Sequence, residues 1–178
     1  MKQSTKTALG YYLVFISLGL TLAALGPTLP GLAEQTRSTL SGISILFVAR
    51  SLGFLIGALL VGRLYDRFPG HRLMTVSLVL IGATMALVPL IPTLWLLTAV
   101  MFLLGLFEPG LDVGGNTLIV WVYRDKVGPY MNGLHFFFGV GAFLAPAVVA
   151  WALATGEGVR IAYWILAALI VLPAPYIA

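Results

Sequence analysis

The sequence has no cysteine and very few charged residues. Only 9% of its 178 residues are Asp, Glu, Lys or Arg, whereas soluble domains average about 25%. The absence of cysteine excludes a disulfide framework and any metal site built on thiolates. The scarcity of charge, beside 60% hydrophobic residues, excludes a well-solvated globular surface. The composition therefore predicts an integral membrane protein.

Six apolar runs approach or exceed the roughly 20 residues that a membrane-spanning helix needs. The connections between them are short and rich in turn residues, and no segment is long and polar enough to form a soluble domain. We therefore expect an all-α protein in which residues 1–178 form one bundle of six transmembrane helices. The predicted spans are 8–32, 41–64, 73–91, 94–122, 131–153 and 161–178.

The basic residues fall mainly on one side of the membrane if the N-terminus is cytoplasmic, as cytoplasmic loops are enriched in Lys and Arg. This bias predicts a cytoplasmic N-terminus and a place in the inner, or plasma, membrane. It also accounts for the formal charge of +4 without a nucleic-acid partner. The inner side would carry Lys2, Lys6, Arg63, Arg67, Arg72, Arg124 and Lys126, and the outer side Arg37 and Arg160.

Three charged residues fall well inside the predicted spans: Arg50, Glu108 and Asp112. Arg50 and Glu108 each lie 14 positions from the inner end of their span, which places both at a depth of about 21 Å. Arg50 is therefore level with the acids and could form a structural ion pair with one of them. Intramembrane charges also mark ion and substrate paths, so the second acid favours a functional role.

A polar stripe is predicted on the fourth span. Glu108, Asp112 and Asn116 follow each other at intervals of four, which places them on one helix face. Pro109 removes a backbone hydrogen bond, so this helix should bend. Burial opposes ionisation of a carboxyl group and a nearby arginine favours it. Such a group can exchange a proton or hold a sodium ion, and no other cofactor or metal is predicted.

Small residues mark two further spans as sites of close helix packing. Gly53 and Gly57 form such a face in the second span, and Gly139, Gly141 and Ala142 form another in the fifth. Small residues let helix backbones approach closely. We interpret both faces as ordinary packing surfaces.

The loop GRLYDRFPGHR, residues 62–72, resembles the signature between the second and third helices of major facilitator transporters. That resemblance implies the N-terminal six-helix half of the fold, built as a 3+3 inverted repeat. It also implies a second half, supplied by a second copy or by a separate C-terminal half. The loop residues to which it assigns a role in conformational gating are Gly62, Asp66, Arg67, Gly70 and Arg72.

Four further segments resemble the fucose–galactose–glucose:proton symporter family, most of all its sodium-dependent glucose transporter-like branch. They are GPTLPGLAEQT, ISILFVARSLGFLIGALLVGRLYD, and LDVGGNTLIVWVY together with LHFFFGVGAFLAP. The resemblance implies that Asp112 couples the ion to the sugar and that Asn116 binds substrate. It further implies that the fifth span contributes His135 and Phe138 to the substrate site.

The sequence departs from the fucose permease pattern in two places. Phe138 replaces a polar residue, and the first span has no acid but only Ser17 and Thr21. The predicted function is still secondary transport of a small polar solute, with a monosaccharide as the expected class, coupled to protons or sodium. The alternatives are efflux of apolar drugs or metabolites, favoured by the run Phe136–Phe138, and a non-transporting membrane subunit. No catalytic constellation is found, so an enzyme is not expected.

Overall fold

The computed structural model describes residues 2–156 and 158–177, with side chains from residue 6 onward, so residues 1, 157 and 178 of the predicted bundle lie outside it. The described residues form helices joined by short turns. The α-helices are α1 (Lys2–Thr36), α2 (Leu40–Ile43), α3 (Ile45–Arg67), α4 (Gly70–Leu87), α5 (Leu94–Phe107), α6 (Pro109–Tyr123), α7 (Val127–Ala154), α8 (Gly158–Val171) and α9 (Ala174–Ile177). Two 3₁₀ turns, η1 (Val88–Leu90) and η2 (Arg124–Lys126), follow α4 and α6.

Five helical stretches of the described chain are long and apolar enough to cross a membrane. They are Lys6–Thr36, Leu40–Arg67, Gly70–Leu90, Leu94–Ala154 and Gly158–Ile177. The fourth has 61 residues, and a straight helix of that length would measure about 90 Å, three times the hydrocarbon thickness. It is interrupted at Glu108 and again at η2, where Arg124 has a φ of 44°.

 

A positive φ is uncommon for a residue other than glycine and is found where a helix ends. The stretch Leu94–Ala154 therefore contains three helices, and α7 packs back against α6 and α1.

The helix boundaries differ from the predicted spans by a few residues, and three spans are each divided between two helices: 41–64 between α2 and α3, 94–122 between α5 and α6, and 161–178 between α8 and α9. The span predicted over 161–178 consists of α8, which ends at Val171, and the short helix α9, which begins at Ala174. Pro173 lies between them and has no N–H to continue the hydrogen-bond ladder of α8. Residue 178 of that span lies outside the described residues.

Close backbone contacts join α1 to α7 and α3 to α5. A Cβ on Gly19 would overlap the carbonyl oxygen of Phe138, and a Cβ on Gly141 would overlap that of Ile16. Gly141 therefore packs as predicted, whereas Gly139 of the same predicted face has no neighbour within 4 Å of its Cβ position.

The contact between α3 and α5 has the same form. A Cβ on Gly53 would overlap the carbonyl oxygen of Phe102, and a Cβ on Gly105 would overlap that of Arg50. Gly57 lies against Leu106 in the same way, so the predicted face of Gly53 and Gly57 is a packing surface. These glycines bring the second and fourth apolar stretches into backbone contact, which places Arg50 beside Glu108.

The remaining helices complete the bundle. α4 packs against α8, and α8 also contacts α1 and α7. Thr28 of α1 and Tyr163 of α8 are joined through their hydroxyl groups at 3.0 Å, and both side chains are buried. At the end of α1, the side-chain amide of Gln35 donates to the carbonyl of Ile91 at 2.7 Å. The buried core therefore draws residues from α1, α3, α4, α5, α6, α7 and α8.

Candidate functional site

The polar residues of the fourth predicted span surround a break in the helix. α5 ends at Phe107 and α6 begins at Pro109, with Glu108 between them. Because Pro109 has no N–H, it cannot donate to the carbonyl four residues earlier. The carbonyl of Glu108 accepts from the N–H of Leu111 at 2.9 Å and from that of Asp112 at 3.1 Å. The helix is thus interrupted at Glu108, although the backbone there keeps helical dihedral angles, and Asp112 lies in the first turn of α6.

Arg50 and Glu108 form a buried ion pair. The Nε and Nη2 atoms of Arg50 donate to Oε1 of Glu108 at 2.8 and 2.5 Å. Glu108 is 2% exposed and Arg50 is 8% exposed. Of the two acids that the sequence offered to Arg50, the structure therefore pairs it with Glu108.

The guanidinium group of Arg50 also holds α1. Its Nη2 donates to the carbonyl of Thr21 at 2.8 Å, and its Nη1 donates to the carbonyl of Leu22 at 3.3 Å. The ion pair therefore connects α1, α3 and the break between α5 and α6. A buried charge is costly unless it is paired and hydrogen-bonded, and this pair meets both conditions.

Asp112 lies apart from this pair. Its side chain is half-buried, and its Oδ1 accepts from the Nδ2 of Asn116 at 3.2 Å. The same Nδ2 lies 2.9 Å from the backbone carbonyl of Asp112. The predicted stripe is thus divided: Glu108 is buried against Arg50, whereas Asp112 and Asn116 form a separate polar pair on α6.

Asp112 borders a cavity of about 220 Å³ between α1, α3, α6 and α7. His135 and Phe138 of α7 also line it, so the structure brings three of the predicted site residues together. The imidazole of His135 packs edge-on against the ring of Phe15, with 6.3 Å between the ring centroids. The lining residues are Phe15, Leu18, Leu22, Phe54, Asp112, His135 and Phe138.

Asn116 borders a second, more open groove of about 500 Å³. Asp112 lines both spaces and therefore lies at their junction. The groove follows the exposed side of α6 toward Trp121 and is closed on one side by Met131 of α7. Asn116 thus contacts Asp112, which lines the cavity, but Asn116 does not itself line it.

Sequence reasoning missed the apolar walls of the cavity. Phe15, Leu18 and Leu22 come from α1 and Phe54 from α3, and nothing distinguishes them in sequence from other apolar residues of their helices. The two polar residues noted in the first span point elsewhere. The hydroxyl of Ser17 donates to the carbonyl of Ile170 at 3.2 Å, and that of Thr21 donates to the carbonyl of Ser17 at 2.8 Å.

The loop predicted to take part in gating joins α3 to α4. Its charged residues Asp66, Arg67 and Arg72 are exposed, whereas Gly70 begins α4 and lies close to Leu118 of α6. Gly62 has no neighbour within 4 Å of its Cβ position. His71, which departs from the signature, has its Nε2 atom 3.0 Å from the hydroxyl of Tyr11.

A further residue within this segment, Tyr65, contacts α6. The hydroxyl of Tyr65 donates to the carbonyl of Gly110 at 2.7 Å, and the side chain is buried. Sequence reasoning missed Tyr65 because the signature allows any residue at its position. The contact connects the end of α3 to the turn that carries Asp112.

The arrangement suits reversible binding of a small polar ligand or cation. Asp112 offers an acceptor whose charge is not neutralised by Arg50, and His135 offers a group that can donate or accept a hydrogen bond. The aromatic and aliphatic walls provide apolar contact area, as in most small-molecule sites, where a few polar groups fix the orientation of the ligand.

The family model described as Major Facilitator Superfamily matches residues 11–176. Among curated proteins, the chain is 40% identical over 134 residues to the sodium-dependent glucose transporter 1 of Xenopus laevis, covering 75% of this chain and 27% of that protein. It is 39% identical over 148 residues to the sodium-dependent glucose transporter 1A of Mus musculus, covering 82% of this chain and 35% of that protein. It is 34% identical over 150 residues to the human major facilitator superfamily domain-containing protein 4A, covering 83% of this chain and 29% of that protein. The chain therefore spans only about a third of the length of these relatives.

Proposed function

The chain belongs to the major facilitator superfamily, and from that membership we propose that it forms one six-helix half of a secondary transporter. The family consists of transporters rather than enzymes, and the chain is a multi-pass membrane protein. In our proposal the transporter moves a small polar solute by alternating access. A monosaccharide is the expected class, because relatives at 39–40% identity are named glucose transporters.

The six spans of this proposal are α1, α3, α4, α5 with α6, α7, and α8 with α9. The 61-residue stretch is counted as two spans because η2 separates α6 from α7. We propose that the N-terminus lies in the cytoplasm and that the protein lies in the plasma, or inner, membrane. In this orientation Lys and Arg concentrate on the inner side.

The helix contacts support the 3+3 inverted repeat. An exchange of the first three spans with the last three would map the α1–α7 contact onto the α5–α3 contact, and the α4–α8 contact onto itself. The glycines agree in detail. Gly19 faces the carbonyl three residues before Gly141, and Gly141 faces the carbonyl three residues before Gly19. Gly53 and Gly105 face each other with the same offsets.

Asp112 is the proposed coupling residue, and this assignment depends on one observation. Asp112 borders the cavity together with His135 and Phe138, whereas the second acid, Glu108, is neutralised by Arg50 outside the cavity lining. Asp112 is thus the acid that can exchange a proton or sodium ion as access alternates. Arg50 and Glu108, also predicted to take part in ion coupling, are proposed instead to hold the helices behind the cavity.

Substrate would contact His135, Phe138 and Asn116. The rings of Phe15, Phe54 and Phe138 offer flat apolar surfaces that suit the C–H face of a sugar ring, and Asp112 and His135 can hydrogen-bond its hydroxyl groups. A second six-helix unit, from a second copy or a C-terminal half, would close the groove beside Asn116. The loop residues Gly62, Asp66, Arg67, Gly70 and Arg72 would change neighbours as access alternates.

One observation favours a second candidate. Five of the seven residues that line the cavity are apolar, which also suits efflux of an apolar drug or metabolite. Uptake into proteoliposomes separates the two proposals. The full-length protein should accumulate labelled monosaccharide under an imposed proton or sodium gradient. Export of an apolar drug or metabolite without sugar uptake would support efflux, and no transport with any gradient would support a non-transporting subunit.

A further inference from the structure

Tyr65 connects the end of α3 to α6 through a buried hydrogen bond. Its hydroxyl donates to the carbonyl of Gly110 at 2.7 Å, and the side chain is 5% exposed. The absence of a side chain at Gly114 makes room for this contact, because a Cβ there would overlap the hydroxyl of Tyr65. Gly114 therefore leaves the space on α6 that the side chain of Tyr65 occupies.

The acceptor of this bond lies in the turn that carries Asp112. Gly110 lies between Pro109, which lacks an N–H, and Asp112. The backbone bonds that hold this turn to α5 include that from Glu108 N–H to the carbonyl of Leu104, at 3.3 Å. Because the helix is interrupted here, the direction of α6 depends on contacts with other helices.

α3 holds the chain on both sides of the interruption. Arg50 binds the side chain of Glu108 before Pro109, and Tyr65 binds the carbonyl of Gly110 after it. Tyr65 is also directly followed by Asp66 and Arg67, the exposed charged residues at the end of α3. A movement of this end of α3 would therefore displace the turn that carries Asp112, because the hydrogen bond from Tyr65 to the carbonyl of Gly110 joins the two.

We propose that Tyr65 is a positioning residue for Asp112, one that makes the orientation of the Asp112 carboxylate follow the position of the α3–α4 loop. This inference rests on the proposed function, since it gives Tyr65 a role in coupling. Tyr65 does not line the cavity and does not contact the substrate. Its hydroxyl acts by fixing the first turn of α6.

Tyr65→Phe in the full-length protein tests the inference, with Tyr163→Phe as the matched control. Each substitution removes one buried hydroxyl group. The hydroxyl group of Tyr163 is hydrogen-bonded to Thr28, and neither residue lines the cavity beside Asp112. Tyr65→Phe should lower the ratio of gradient-driven accumulation to substrate exchange by about three- to tenfold, as expected for loss of one buried hydrogen bond. Tyr163→Phe should leave this ratio unchanged. An unchanged ratio in Tyr65→Phe would overturn the inference.

A second measurement does not depend on transport. The chain has no cysteine, so Val113→Cys places a single thiol beside Asp112, at the edge of the groove. Tyr65→Phe should raise the rate at which a hydrophilic maleimide modifies this thiol by about threefold or more, whereas Tyr163→Phe should not. If the parent protein transports nothing, the proposed function fails and this rate alone decides the positioning role. Equal rates in all three backgrounds would refute it.

Discussion

Glu108 and Asp112 are four residues apart, yet their surroundings differ because Arg50 reaches only one of them. Glu108 is 2% exposed and receives two hydrogen bonds from the guanidinium group. Asp112 is half-buried at the junction of two open spaces and contacts Asn116. The cost of burying the first charge is offset by its partner, whereas the second remains available to a ligand or cation. Neutralising each acid should therefore have different consequences.

Asp112→Asn should abolish gradient-driven accumulation while exchange of substrate across the membrane continues. Asparagine retains the size and hydrogen bonding of the side chain but cannot change its charge. The melting temperature should stay near that of the parent, because the side chain is half-buried and Arg50 pairs with Glu108 instead. Uptake and counterflow in proteoliposomes measure the two activities. Glu34→Gln, an exposed acid near the end of α1, is the control, and normal accumulation by Asp112→Asn would exclude the coupling role.

Arg50→Ala should destabilise the protein by about 3–5 kcal/mol, because it leaves Glu108 buried without its partner. Thermal unfolding in detergent measures the loss. Adding Glu108→Gln to Arg50→Ala should restore much of the stability, since it removes the unpaired charge. Adding Asp112→Asn instead should restore none. Equal rescue by both would contradict the assignment of the ion pair to Glu108.

Part of this site could be predicted from the sequence. Counting residues from the span ends placed Arg50 level with the acids, and the structure does bring it into contact with one of them. Which acid it meets depends on the rotation of each helix about its axis, which the count does not give. The walls at Phe15 and Phe54 could not be predicted either, because an apolar residue in a membrane helix can face the lipid, a neighbour or a cavity equally well.

At the scale of the helices, α3 and α5 approach most closely where glycine replaces side chains. Gly53 and Gly57 were recognisable as a packing face because small residues recur on one side of the span. The partner helix was not recognisable, since packing depends on both surfaces. The break at Glu108 could be predicted from Pro109, whereas the division of the last span into α8 and α9 was not, although Pro173 lies at the break.

Gly53→Ala should destabilise the bundle by about 1–3 kcal/mol through overpacking. Its Cβ would overlap the carbonyl oxygen of Phe102, and a backbone atom cannot move aside as a flexible side chain can. Gly26→Ala is the matched control, because no atom lies within 4 Å of its Cβ position in α1. The melting temperatures of the two variants in detergent make the comparison. Equal values would show that α3 and α5 can separate without cost.

At the scale of the whole molecule, the polar surface of α6 and α7 is not covered by the helices that the structure describes. Asp112 and Asn116 are half-buried and His135 is exposed. Ionisable groups that face lipid are disfavoured, and in membrane proteins they face a bundle interior or an aqueous cavity. The chain spans 27–35% of the relatives compared above. A second six-helix unit opposite this surface would shield the polar groups and enclose the cavity.

The assembly can be tested by attaching a photoactivated crosslinker to single cysteines in this cysteine-free chain. A crosslinker at Phe136→Cys, a position 67% exposed beside His135, should capture a second six-helix unit in mild detergent. A crosslinker at Val79→Cys, 47% exposed on α4, should capture lipid or detergent instead. Native mass spectrometry would then give the mass of the assembly and distinguish a second copy from a separate half. A stable monomer with equal labelling at both positions would contradict shielding by a second unit and would favour a non-transporting subunit, because a half with its polar surface open to lipid cannot enclose a transport path.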